Sequence, residues 1–451
     1  MRYLDKFLKW LGFGLLLAPF VWYLVFRFDE PLDPEVQAAL TAEVRVPEEE
    51  NGYYALLGMH APAEVADVHA HGRDLVAQYR QALAADPDLA AYQFPERALD
   101  FRGDQALLCK PQKSACLSQA AKSSRGLDRL LEQNAVLLAR YRALYRYPRF
   151  VETIPAHRSA PFAHYPIDAR NLVLARIARD AARGRLEPAL DALAEDTRYW
   201  RAVLADTRTL LTKVVAVASL HRNYELLAEI LAAAPIPPAA EQRLKPMLAP
   251  LTPAERSMVE PLRWEFAAYG NYAKAIKAGV KEGLEGPDNG NATRAVLAWL
   301  GDALVQENAT RNLVYRHHMA IAALADVPST EFDARRAALE EEYAFRLGWH
   351  YLYNPLGKFL FHVSQPEWPK YAARIHDLDG YIRLVRLQLE LKWGRVRLPD
   401  VPTYLADAGT SLNDPYTGQP MAWDPATKTI SFRGRGVRPK DSPILAVRLG
   451  G

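Results

Sequence analysis

The chain has 451 residues, 50% of them hydrophobic, and its 56 Lys and Arg against 53 Asp and Glu leave a net charge of +3. So balanced a chain lacks the basic footprint of a nucleic-acid binder, and no nucleic-acid partner is expected. The length beyond the first 27 residues suffices for a large core and exceeds what one domain usually organises.

The N-terminus carries the strongest signal. Arg2, Lys6 and Lys9 precede an uncharged run over 10–26, and Arg27, Asp29, Glu30, Asp33 and Glu35 follow it. As a helix of about 1.5 Å per residue, these 17 residues reach about 25 Å, close to a bilayer core of roughly 30 Å. Phe7 and Leu8 extend the run inward when Lys9 snorkels, and Phe28 extends it outward. Trp10, Trp22 and Tyr23 stand near the two ends, where amphipathic rings prefer the interface, and Phe26 closes the run. Pro19 is tolerated in a membrane helix. A cleaved signal peptide has the same basic start and apolar middle, but it needs small residues at its cleavage site, and 21–28 offers bulky ones. The expectation is an uncleaved anchor over 10–27. Basic residues favour the cytoplasmic side, so residues 1–9 are expected inside and 28–451 outside. Enrichment in Ala, Leu and Arg has a bacterial character, which makes the membrane a bacterial inner membrane, crossed once, and the far side the periplasm. The lipid bilayer is then the first expected partner.

Residues 28–50, rich in Pro and Glu, read as a juxtamembrane linker. A mainly α body of packed helical hairpins is expected over 51–393, with a sub-boundary possible at the proline-rich 146–168. Apolar residues at helical intervals (Val65, Val68, Leu75, Val76, Tyr79, Leu83) predict a helix ending at Asp86-Pro87. Cys109 and Cys116 are the only cysteines. In an oxidising compartment such a pair reads as a disulfide closing a small loop, worth about 2–3 kcal/mol by loop entropy; in the cytosol the same pair would be free thiols.

A helix over 127–145 carries a stripe of Leu130, Leu131, Leu137, Leu138, Tyr141 and Tyr145. The block 169–234 follows, broken at Gly184, with one stripe running from Leu190 to Val217 and a further turn and helix from Leu220. More helices are expected at 253–269, 291–325 and 329–347, and a last one through Leu378, Tyr381, Val385, Leu389 and Trp393. Segments 184–190 (GRLEPAL) and 270–276 (GNYAKAI) resemble the second-helix start of a tetratricopeptide unit, where Gly lets helices meet closely, but no 34-residue period links them. Residues 394–451 form a Pro- and Gly-rich tail. Within it 421–424 and 429–433 flank a turn and predict a β-hairpin, preceded by the turn cluster 414–420.

The tail residues Asp414, Pro415, Tyr416, Gly418, Pro420 and Trp423, within DPYTGQPMAW, resemble a motif ending an uncharacterised family of membrane-anchored bacterial envelope proteins. Segment 196–227 (DTRYWRAVLADTRTLLTKVVAVASLHRNYELL) is similar to a helical segment of the same family. The resemblance implies a helical body followed by a hairpin, and it brings no activity with it. The motif is also distantly similar to the C-terminal turn of type II secretion pseudopilins, whose single long helix does not fit this chain.

Chemistry-bearing motifs are sparse. There is no G-x-S-x-G, S-x-x-K, H-E-x-x-H, Walker A or G-x-G-x-x-G pattern, so no catalytic residue and no cofactor are assigned. His69 and His71 lie about 200° apart on a helix and read as borders of its stripe. Of His317 and His318, one is expected to face the core and one the solvent. His376-Asp377 resembles the metal-binding doublet of HD-type phosphohydrolases, against the simpler reading of a polar helix start. The aromatic stretch 348–362 reads as core packing, and Arg433, Arg435, Arg438 and Lys440 as a solvated basic loop. The expected role is a non-enzymatic interaction or scaffold protein of the envelope, with an envelope protein as partner. The alternative is a metal-assisted hydrolase built on His376, Asp377 and distant histidines.

Overall fold

The computed structural model describes residues 17–18, 20–42, 45–108, 116–161, 165–269, 304–346, 348–363, 367–436 and 442–450. The chain is mainly helical, with one small antiparallel sheet near the C-terminus. It divides into two compact units, neither of which is a continuous stretch. One comprises Met1–Glu43, Arg263–Ile321 and Ala337–Trp368; the other comprises Val44–Leu262, Ala322–Arg336 and Pro369–Gly451.

The larger unit is built on a series of long helices. Ile167–Ala182 packs on Leu186–Asp206, which packs on Leu210–Ala233, which packs on Pro369–Trp393. Leu172, Leu193, Trp200, Leu220, Leu227 and Leu384 are fully buried or nearly so between them. The first break is at Gly184, whose φ of +76° turns the chain left-handed with nothing close to where a Cβ would stand. It therefore acts as a helix stop and does not mediate a close helix approach. The second break falls at Thr207–Thr209, some ten residues before the position expected from the stripe. Glu152, buried, explains it: its carboxylate accepts from the hydroxyls of Thr207 (2.7 Å) and Thr209 (2.9 Å) and from Arg208 N (2.7 Å). Thr209 then caps the next helix through Thr212 N.

The helix expected over 127–145 is two, Ser124–Gln133 and Ala135–Ala143, separated at Asn134. The Asn134 side chain holds both the N–H and the carbonyl of Arg102. Gly52–Leu57 crosses Val68–Ala85 with backbones in contact, at Gly58 and Gly72. A Cβ on Gly72 would lie 1.8 Å from Tyr54 O, and one on Gly58 would lie 1.8 Å from Val68 O. The expected hairpin is present as β1 (Ala422–Asp424) and β2 (Thr429–Arg433), with Trp423 opposite Ile430. A third strand, β3 (Ile444–Arg448), extends it antiparallel, Val447 opposite Ile430. Ile430 and Phe432 alternate inward, and the Phe432 ring packs over Gly380 of the Pro369–Trp393 helix.

The smaller unit gathers the start of the chain around the helix Glu307–Leu324. Residues 20–26 are helical, and Pro34–Thr41 follows. Within the stretch expected as a linker, Val36 and Ala39 of that helix pack with Phe266 and Tyr315. The acidic residues after the apolar run are used in folding. Asp29 accepts from the N–H groups of Asn308 (2.7 Å) and Ala309 (3.1 Å), at the first turn of Glu307–Leu324, where a carboxylate complements the helix end. Asn312 donates to Glu30 Oε1 and accepts from Asp33 N. Among the described residues no helix is long and apolar enough to cross a membrane. Residues 1–16 and Pro19 of the expected anchor, including Trp10, lie outside them.

Candidate functional site

The residues singled out in the sequence fall into three places. The first is a clasp in the larger unit. Asp414 Oδ1 accepts from Tyr416 N (2.8 Å), and Gly418 at φ +68° closes the turn with its N–H on Asp414 O. The turn presents Tyr416, whose hydroxyl donates to Asp377 Oδ1 at 2.6 Å. Asp377 also accepts from Arg435 N (2.9 Å) and Gly436 N (2.7 Å), and the Arg435 guanidinium lies 4.5 Å from the centre of the Tyr416 ring. Burial pushes the Asp377 carboxyl up, opposed by these donors. Burial and the neighbouring Asp377 push the Tyr416 phenol up. Pro415 is buried in this clasp near Gly380, whereas Pro420 is exposed and Trp423 half-buried on β1. Arg435, expected in a solvated loop, is thus docked; Arg438 and Lys440 lie outside the described residues.

His376 sits beside this clasp with both ring nitrogens engaged. Nε2 lies 2.8 Å from Leu324 O and Nδ1 lies 2.9 Å from Ser329 Oγ. The first pairing requires Nε2–H as donor, so Nδ1 accepts from the serine. Neither His376 nor Asp377 retains a donor set directed at a common ion, and among the described residues no group of three or more His, Cys, Asp or Glu is placed to hold a metal. His69 is buried and stacked on Tyr147, while His71 is half-buried.

A second cluster lies inside the same unit and was not evident from the sequence. Asp196 is fully buried and accepts from Tyr141 OH (2.7 Å), Tyr145 OH (2.8 Å) and Asn223 Nδ2 (2.7 Å). Arg170 donates to Asn223 Oδ1 (2.6 Å) and to Ser219 O. A cavity of about 110 Å³ bounded by Tyr165, Arg170, Trp200 and Arg222 adjoins it. Lys213, buried nearby in the chain, donates to Leu204 O and Glu255 O, and burial pushes its ammonium down to about 7. Asp196, Trp200, Lys213 and Asn223 all belong to segment 196–227, so that segment's polar residues form interior supports.

The third place is in the smaller unit and is a surface. His317 and His318 are both buried, against the expectation of one facing out. His317 packs on Tyr343 and Phe361, and His318 on Phe266 and Trp368, so each meets a different aromatic wall. Burial lowers both, His317 to about 4. The aromatic stretch 348–362 was expected in a core, yet only part of it is. Phe361 is 3% exposed, whereas Trp349 is 88% and Phe359 47% exposed. The N-terminal helix lies against this stretch: Trp22 Nε1 donates to Leu352 O (2.7 Å), and the Phe26 and Tyr353 rings are 6.2 Å apart. Leu24 and Val25 on that helix are exposed, while Tyr23 is buried.

Comparison with known proteins gives no further guide. No family model, no curated protein and no solved structure matches this chain. Cys116 is buried and is not a free thiol; Cys109 lies outside the described residues.

Proposed function

We propose that this protein is a single-span, non-enzymatic interaction or scaffold protein of a bacterial inner membrane, with residues 28–451 in the periplasm. The observation that carries the reading is the state of the N-terminal helix. Leu17, Val21, Leu24 and Val25 face outward, while Tyr23 is buried and the helix end is fastened to a folded unit. Gln306 Nε2 donates to Phe26 O, Trp22 is tied to Leu352, and Asp29 caps Glu307–Leu324. An apolar helix fixed in this way and open along its flank suits a span continuing into lipid. The uncharged run over 10–26 and its basic flank supply the orientation.

Support for a scaffold comes from the helical body, whose grooves suit a protein partner. One, of about 640 Å³, lies between Leu186–Asp206 and Glu241–Met247 and is edged by Arg198, Arg201 and Arg243. The hydrolase reading draws no support from His376 and Asp377, whose groups are used inside the fold. A periplasmic location also favours a Cys109–Cys116 disulfide. The test is topological: a reporter active only in the periplasm, fused after residue 451, is expected to be active, with the protein retained in alkali-washed membranes. A reporter active only in the cytosol, or release of the protein by alkali, overturns the reading.

A further inference from the structure

Among the described residues, exposed apolar side chains are not evenly spread. Apart from Val136, Ile167, Leu211 and Ile444, every large exposed apolar side chain among the described residues lies in 17–28 or in 345–363. Both stretches belong to the smaller unit. The first is the end of the proposed span. The second is far from it in sequence and needs its own explanation.

The second stretch is two-faced. Asn354, Gly357 and Phe361, at intervals of three and four, are buried. Gly357 is held so closely that a Cβ would lie 2.1 Å from Asn354 Oδ1 and 2.2 Å from Thr310 Oγ1. Phe359 and Val363, four residues apart on the Pro355–Val363 helix, are exposed, as is Leu352 in the turn ahead of it. This spacing puts an outward apolar stripe on the Pro355–Val363 helix, opposite the side that packs on Glu307–Leu324. Trp349 and Phe345 continue the apolar surface ahead of it.

We propose that 349–363 is a second lipid-contacting element, seated in the periplasmic-side interface of the bilayer crossed by the N-terminal run. The inference rests on the proposed anchor. Its occupant is fixed by position: Trp22 and Phe26, which touch Leu352 and Tyr353, stand at the end of the uncharged run, at the level where a span leaves the hydrocarbon. The outward stripe therefore lies beside the exit of the span. Its composition fits that depth. Trp22 and Tyr353 flank Phe26, and Trp349 is 88% exposed; such rings gather at headgroup level. The Arg27 guanidinium lies over the Phe28 ring at 4.6 Å, and Lys358 Nζ lies 5.8 Å from the centre of the Tyr353 ring, so both cations lie along aromatic surface.

The experiment uses the full chain in vesicles of phosphatidylethanolamine and phosphatidylglycerol doped with a lipid whose acyl chain carries a photoactivatable diazirine. Adducts are mapped by peptide mass spectrometry. Labelling is expected in 10–26 and again in 349–363, with loss of the second signal alone in a Trp349→Asp, Phe359→Asp double variant. Labelling confined to 10–26 in the unmodified sequence overturns this inference and leaves the anchor standing. Absence of labelling in both stretches brings down the anchor as well. A cross-link joining two copies through 349–363 in the same vesicles assigns the face to self-association and overturns the lipid reading.

Discussion

Asp377 takes one phenol and two peptide N–H groups, so each side chain of the clasp has a defined worth. Tyr416→Phe removes a hydrogen bond to a buried carboxylate, a loss of about 1.5–3 kcal/mol. The urea midpoint is expected to fall with the slope unchanged, and a variant equal to the parent would show that the clasp contributes nothing. A second residue-scale effect concerns pH. Burial holds His317 down at about 4, whereas the unfolded chain titrates near 6.5. Between these values the unfolded chain carries a proton that the native chain refuses, so stability rises with pH across the window and levels above it. His318 and His362 are lowered in the same direction, also by burial. Denaturation midpoints from about pH 4.5 to about pH 7.5 are expected to climb and then level off near 6.5. A midpoint independent of pH would contradict the burial of these rings.

At the scale of elements, two glycines act for different reasons. Gly72→Ala would push a Cβ to 1.8 Å from Tyr54 O, a backbone atom that cannot turn aside, and is expected to cost about 3 kcal/mol or more as Gly52–Leu57 and Val68–Ala85 separate. Gly184→Ala meets no atom and bears only the strain of φ +76°, about 1–2 kcal/mol. Thermal unfolding of both variants should rank them in that order. Asp29→Ala should release the first turn of Glu307–Leu324 by about 1 kcal/mol, read as faster amide exchange at Asn308 and Ala309. The long helices were legible in the sequence because their stripes repeat over many turns. Their breaks were not. Asn134 answers to Arg102, and Thr207 and Thr209 answer to Glu152, so each stop depends on a partner distant along the chain. Strand β3 was missed because ten residues of sequence separate it from β2, more than a tight hairpin loop holds, and the short helix Val401–Asp407 because Pro399 and Pro402 crowd its start. The Asp196 cluster draws Tyr141, Tyr145, Arg170 and Asn223 from separate helices, and no spacing rule connects them. The tail turn, by contrast, was found by its own residues, since Asp414 and Gly418 bond each other.

For the whole molecule, the compartment has one covalent readout. If the proposed periplasmic location holds, protein taken from its native cells is expected to yield a peptide linking Cys109 and Cys116 under non-reducing conditions; free thiols there would argue against an oxidising location. The division into two discontinuous units carries a different consequence, one of timing. Trp22 meets Leu352, 330 residues later, and Asn308 waits for Asp29 across 279. At about 5–20 residues per second, the ribosome needs roughly 15–65 s to deliver that partner. Throughout the interval Trp22 and Phe26 lack the Leu352 and Tyr353 they meet in the folded unit. Insertion of the proposed span into the bilayer gives these side chains a host from the first seconds of translation.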